Sequence, residues 1–133
     1  PLRHEMFCLA ENAELFGPTL AFQAADRRLA EWSAEEDHAV WTIEVPNKGR
    51  YVVFLEWSCS DDSAGNSCVV EIGTERLVTE IRSTGDWNRF GRAKIGELDL
   101  SAGRQRVVLR PNGPVRHRLG DFRSLTLRPF GVG

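Results

Sequence analysis

The sequence predicts an all-β fold, a sandwich of two antiparallel sheets. Three observations carry the prediction. Apolar residues recur with a period of two rather than 3.6 along nearly the whole chain, turn signals fall about every 8–12 residues, and no stretch has a convincing helical pattern. In "VWTIEV" (40–45), Trp41, Ile43 and Val45 share one face and Val40, Thr42 and Glu44 the other. "YVVFLEW" (51–57) sets Tyr51, Val53, Leu55 and Trp57 against Val52, Phe54 and Glu56, and "RVVLRP" (106–111) and "RSLTLRPF" (123–130) alternate similarly. The phases predict a core of Trp41, Ile43, Tyr51, Val53, Leu55, Trp57, Val108 and Leu125.

Turn residues separate these runs: "PNKG" (46–49), "DDSAGN" (61–66), "IGTE" (72–75), "STGD" (83–86), "SAG" (101–103) and "PNGP" (111–114). The acidic 61–66 loop is expected to join the 49–58 and 66–73 strands as a pair, the Gly73-Thr74 turn the next pair, and Ser101-Ala102-Gly103 to tip a hairpin. "FCLAENAELFG" (7–17) is expected to form an edge strand or two shorter ones, and only 24–39 tolerates a short helical turn.

A chain of 133 residues is long enough for one core without staples, so residues 1–133 are expected to form a single domain. The formal net charge of −2 supplies no basic field for nucleic acid. Charge is nonetheless uneven: residues 1–81 carry 15 acids and 6 Lys or Arg, the remainder 4 and 11. In a sheet protein this is more simply a solvated surface than two opposed faces. No apolar run reaches the ~18–20 residues of a membrane span, so no membrane partner is expected. "PLRHEMFCLA" lacks the pattern of a signal peptide, and a chain that opens on Pro rather than Met is expected to be a segment of a larger protein.

Cys8, Cys59 and Cys68 have no zinc-type spacing. Cys59 and Cys68 flank the acidic loop and either close it as a disulfide or sit as two half-buried thiols. The histidines (4, 38 and 117) are scattered, no GxSxG, HExxH or phosphate-binding glycine loop occurs, and Glu35-Glu36-Asp37 and Asp61-Asp62 read as solvated loop acids. The chain is therefore not expected to be an enzyme.

The tryptophans divide. Trp41 and Trp57 are in phase with aliphatic neighbours. Trp32, in "LAEWSAEED", stands where a strand gives way to polar residues, and Trp87 follows the "STGD" turn. Such rings either fold back as lids on the core ends or offer a flat face to a ligand; the apolar C–H face of a sugar suits an indole.

The order of motifs resembles carbohydrate-binding modules of families 6 and 35, over nearly the whole chain from Phe7 to Pro129. The matching pieces are "AENAEL" (10–15), "EWSAEEDHAVWTIEVPNKGRYVVFLEW" (31–57), "RSTGDWNRF" (82–90), "LDLSAGRQRVVLRP" (98–111) and "GDFRSLTL" (120–127). The resemblance implies a jelly-roll sandwich of the galactose-binding-like kind that binds polysaccharide or oligosaccharide without catalysis, as one covalently linked domain of an extracellular or periplasmic protein. It implies Trp32 and Trp87 as stacking platforms; where such modules often place an Asn this chain has none, and Asn112, Arg116, His117 or Arg118 of the preceding loop is expected to supply the polar contact. An arginine there suits an acidic sugar, because a guanidinium binds a carboxylate through two hydrogen bonds. The resemblance also implies a structural calcium at Glu11 and Asp121. Two departures stand out: Leu119 falls where such modules often carry a sugar-contacting Asn, and Leu9 where they carry a first acidic metal ligand. The alternative is an interaction domain of the same fold with a degenerate sugar site.

Overall fold

The structure, a computed structural model, describes residues 5–131; His4 lies outside them. Eleven strands form: β1 (Met6–Leu9), β2 (Glu14–Phe16), β3 (Ala21–Gln23), β4 (Arg28–Ala30), β5 (His38–Val45), β6 (Gly49–Ser58), β7 (Ser67–Ile72), β8 (Glu75–Glu80), β9 (Gly91–Leu100), β10 (Gly103–Pro111) and β11 (Asp121–Pro129). One sheet runs β3-β4-β11-β6-β9 with β1 also on β11, the other β2-β5-β10-β7-β8. All these pairings are antiparallel. The predicted two-sheet sandwich is thus the fold, and the N-terminal segment splits into two short strands, one in each sheet.

Only one of the three expected strand pairs forms. β7 and β8 pair across Gly73-Thr74, with Ile72 opposite Glu75. The acidic loop instead carries the chain from β6 in one sheet to β7 in the other, and 101–102 carries it from β9 to β10 across the sandwich. A corner between sheets needs no more residues than a hairpin, so turn length and turn chemistry do not separate the two.

The inward phase holds for Trp41, Ile43, Tyr51, Val53, Leu55 and Leu125, all buried. It fails in β10, where Val107 and Leu109 are buried and Val108 is half-buried. Three consecutive apolar residues fit either phase; the pairing Val107 with Trp41, set against β5, decides it. Trp57 is only partly buried against the core, its indole N–H donating to the Arg82 carbonyl at 2.8 Å. A bulge between Phe122 and Ser124 re-phases β11, so that Phe122 and Leu125 are both buried on the inner face.

Cys59 and Cys68 are free buried thiols, not a disulfide. Cys59 lies just past β6 and Cys68 in β7 of the opposite sheet. Burial pushes the Cys59 thiol up to about 11 and those of Cys8 and Cys68 to about 12, so none is a thiolate nucleophile near neutrality. The uneven charge along the chain is resolved by pairing late arginines with early acids: Arg128 with Glu5 at 2.7 Å, Arg110 with Glu71 at 3.1 Å, Arg118 with Glu31 at 3.5 Å and Arg104 with Glu44 at 3.6 Å.

Candidate functional site

Three loops meet at the end of the sandwich where β6 finishes and β11 begins: the acidic loop 59–66, the 82–90 loop and the 112–120 loop. The first two are tied by backbone. Thr84 N donates to the Cys59 carbonyl at 2.8 Å, Cys59 N donates to Thr84 Oγ1 at 2.9 Å, and Ser60 forms a parallel bridge with Gly85. Ser83 Oγ donates to Asp61, and Asn88 N donates to Asp86 Oδ1 at 2.7 Å. The Asp86 side chain thus closes an Asx turn around Trp87 and presents the indole at the loop.

The third loop is held by Asn66, which is buried. Its Nδ2 lies within hydrogen-bonding distance of the carbonyls of Ser63, Arg116 and Arg118, and its Oδ1 accepts from Arg116 N at 2.9 Å. Arg116 Nη1 donates to the Asp62 carbonyl at 2.8 Å and Nη2 to that of Ala64. Leu119 N donates to the Trp32 carbonyl at 2.8 Å.

Between the loops is a hollow of about 410 Å³ lined by Ser60, Asp62, Ser63, Trp87, His117 and Arg118. Trp87 is half-buried, packed against the core on one side, and the Arg118 guanidinium stands over its ring, 5.7 Å from the centroid. The hollow therefore combines an aromatic surface, two hydroxyls, a carboxylate, an imidazole and a guanidinium. Two roomier hollows lie elsewhere and contain no tryptophan. One of about 640 Å³ sits at the opposite end, by Pro46 and Ala102, and one of about 510 Å³ on the face of the six-stranded sheet, by Phe7 and Arg92.

Of the residues expected at the site, Trp87 and His117 line this hollow. Trp32 does not. It is fully buried, edge-to-face with Phe122 at 5.2 Å, and its N–H donates to the Asp37 carbonyl at 3.2 Å. A ring with no accessible face cannot stack a ligand, so its place is in the core. The chain turns just before it, where Glu31 has φ 61°. Asn112 is spent on structure, donating to Ser67 Oγ at 3.1 Å and accepting from Arg76 at 3.2 Å. Arg116 likewise braces the acidic loop. Ser60, Asp62 and Ser63 were missed because that loop reads as a solvated hairpin tip; its length and its small polar residues were the available signal. Leu119 is fully buried.

Among the described residues His117 is one of three non-glycine residues with positive φ, at 61°. His117→Gly is expected to leave stability unchanged or raise it by up to about 1 kcal/mol, since glycine takes this conformation at no steric cost. It also removes the imidazole from the hollow. A urea midpoint measured beside ligand retention separates the two effects, and a clear loss of stability would show the imidazole to be a structural strut.

The implied calcium site does not fit the residues present. Asp121 is buried; its Oδ2 accepts from Arg28 Nη1 at 2.9 Å, and its Oδ1 has no hydrogen-bond partner among the described residues. Glu11 is exposed, with its nearest cation Arg27 at 3.9 Å. Among the described residues no three His, Cys, Asp or Glu side chains cluster as a metal site. Calcium takes 6–8 oxygens, and a guanidinium bonded to the same carboxylate repels it.

This architecture is that of carbohydrate-binding modules of families 6 and 35. A family 35 module from Clostridium thermocellum superposes with a TM-score of 0.75 at 15% identity, over 92% of this chain and 98% of that one. The module CBM6cm-2 of Cellvibrio mixtus lichenase 5A, in complex with cellotriose, gives 0.72 at 16% identity, over 92% and 95%. A GH26-CBM35 β-(1,4)-mannanase from Podospora anserina gives 0.74 at 16% identity; 97% of this chain is covered, but only 28% of the mannanase. No protein-family model matches the chain, and no curated protein matches it in sequence.

Proposed function

We propose that this chain is a carbohydrate-binding module, without catalysis of its own, that attaches a larger extracellular protein to polysaccharide. The observation that carries the reading is the half-buried Trp87 indole lining a loop-end hollow together with hydroxyl, carboxylate, imidazole and guanidinium groups. An apolar platform with polar groups at its rim is the chemistry of sugar recognition. Structural similarity to modules of a mannanase and of a lichenase bound to cellotriose supports it and makes mannan and β-glucan the first probes. Arg118 and His117 beside the ring favour a sugar bearing a carboxylate, so a polyuronate belongs in the same panel.

A stacked indole contributes on the order of 1–3 kcal/mol by analogy with planar stacking on aromatic platforms, and ~1.4 kcal/mol is tenfold. Trp87→Ala is therefore expected to weaken retention in affinity electrophoresis roughly tenfold or more, with an unchanged circular dichroism spectrum. A second reading, an interaction domain with a degenerate sugar site, is favoured by buried Leu119 in place of a polar contact and by Arg118 shielding the ring. Equal mobility of wild type and Trp87→Ala on every polysaccharide would establish that reading.

A further inference from the structure

We infer that Arg28 is a built-in cation that positions the Trp87 loop, pairing with Asp121 where the resemblance implies a calcium ion. Its side chain, 8% accessible, uses each part of the fork. Nη1 donates to the Trp87 carbonyl at 2.6 Å and to Asp121 Oδ2 at 2.9 Å, while Nε and Nη2 engage Asp26 Oδ2. Its guanidinium carbon lies 4.7 Å from the centroid of the Phe90 ring, whose other cation, Arg123, is at 3.8 Å.

One group thus joins β4, the turn before it, the start of β11 and the 82–90 loop at both Trp87 and Phe90. A buried cation is tolerated only when paired and hydrogen-bonded. Here two carboxylates, a carbonyl and an aromatic face meet that condition, and the planar fork fixes directions that a spherical ion leaves free. The loop that presents Trp87 is held to the sandwich on this side by Arg28 and on the other by Thr84 and Cys59. Asp121 Oδ2 is thereby neutralised from within the chain, while Asp121 Oδ1 stays buried without a hydrogen-bond partner among the described residues. The consequence for ligand rests on Trp87 being the platform proposed above; the positioning of the loop does not.

The test has two readings that need no sugar. The melting midpoint of the wild type is expected to be the same in chelator and in millimolar calcium; a fall on chelation overturns the inference, because it places an ion in the fold. Arg28→Lys keeps a charge for the carboxylates and loses the fork. Its backbone amides at 84–90 are expected to exchange with deuterium about tenfold faster or more, while those of the β7–β8 hairpin are unchanged. Uniform acceleration across the chain, or no change at 84–90, shows Arg28 to be an ordinary buried ion-pair partner. On polysaccharide, Arg28→Lys is expected to bind more weakly than wild type. If Trp87→Ala binds as well as wild type, the ligand reading fails while the exchange result still decides the role of Arg28.

Discussion

Trp32→Ala is expected to destabilise the sandwich by about 3–5 kcal/mol, the range for truncating a large aromatic in a packed core. Two losses add at this position. The ring is fully buried against Phe122 at 5.2 Å in edge-to-face geometry, an arrangement worth about 0.5–1.5 kcal/mol beyond area. Its N–H bond to the Asp37 carbonyl at 3.2 Å disappears, leaving that carbonyl without this donor. Domains of this kind are stable by about 5–15 kcal/mol, so the variant is expected to melt on the order of 10 °C or more below wild type. Thermal unfolding followed by circular dichroism measures it. A variant that melts like wild type but no longer binds polysaccharide would return Trp32 to the ligand site.

Replacing Asp37 is expected to have the second-largest effect, about 2–4 kcal/mol for Asp37→Ala, because several partly buried donors lose their buried acceptor together. The carboxylate is fully buried. It accepts from Thr19 N and Ala34 N, each at 3.0 Å, and from Thr19 Oγ1. The loop before β3 is folded tightly around it: Gly17 has φ +106°, and a Cβ there would stand 2.3 Å from Asp37 Oδ1. Burial by itself pushes this carboxyl up, but the hydrogen bonds from Thr19, Ala34 and Leu20 outweigh it and hold the group below its ordinary value.

The sign of the pH dependence follows. A carboxylate with a depressed folded pKa contributes stability that is fully present above the unfolded value, about 3.9, and is lost as pH falls through the folded value. Stability is therefore expected to decline on acidification below roughly pH 4, with a shallower decline in Asp37→Asn, which has lost this group. Asp26, depressed chiefly by its hydrogen bond from Arg28, keeps part of the slope in the variant. Asp121, raised by burial against the pull of Arg28, opposes it. Urea midpoints across the acid range for both proteins give the comparison; identical slopes would show that the Asp37 carboxylate carries none of the pH dependence.

The alternation in "VWTIEV" and "YVVFLEW" determined that these segments are strands and which of their faces is apolar, because side chains on a strand alternate whatever lies beside it. The Gly-Asp turn likewise determined that Trp87 stands at a sheet end, and its place at the hollow follows from that. The Gly73-Thr74 turn determined a hairpin. These are local properties, set by a few neighbouring residues.

Which strand lies beside which, and which tryptophan reaches solvent, only the tertiary structure decided. β6 and β7, and β9 and β10, are adjacent in sequence but lie in opposite sheets, since a corner across the sandwich and a hairpin within a sheet use the same turn residues. The phase of "VVL" in β10 waited for its pairing with β5. Trp32 has the flanks of a loop residue, yet the chain turns at Glu31 and the ring packs inward against Phe122. Arg28, in a run of ordinary charged residues, became a buried cation because Asp26, Asp121 and the Trp87 carbonyl arrive from separate parts of the chain. Burial and pairing depend on contacts between segments far apart in sequence, and period and turn chemistry carry no record of those contacts.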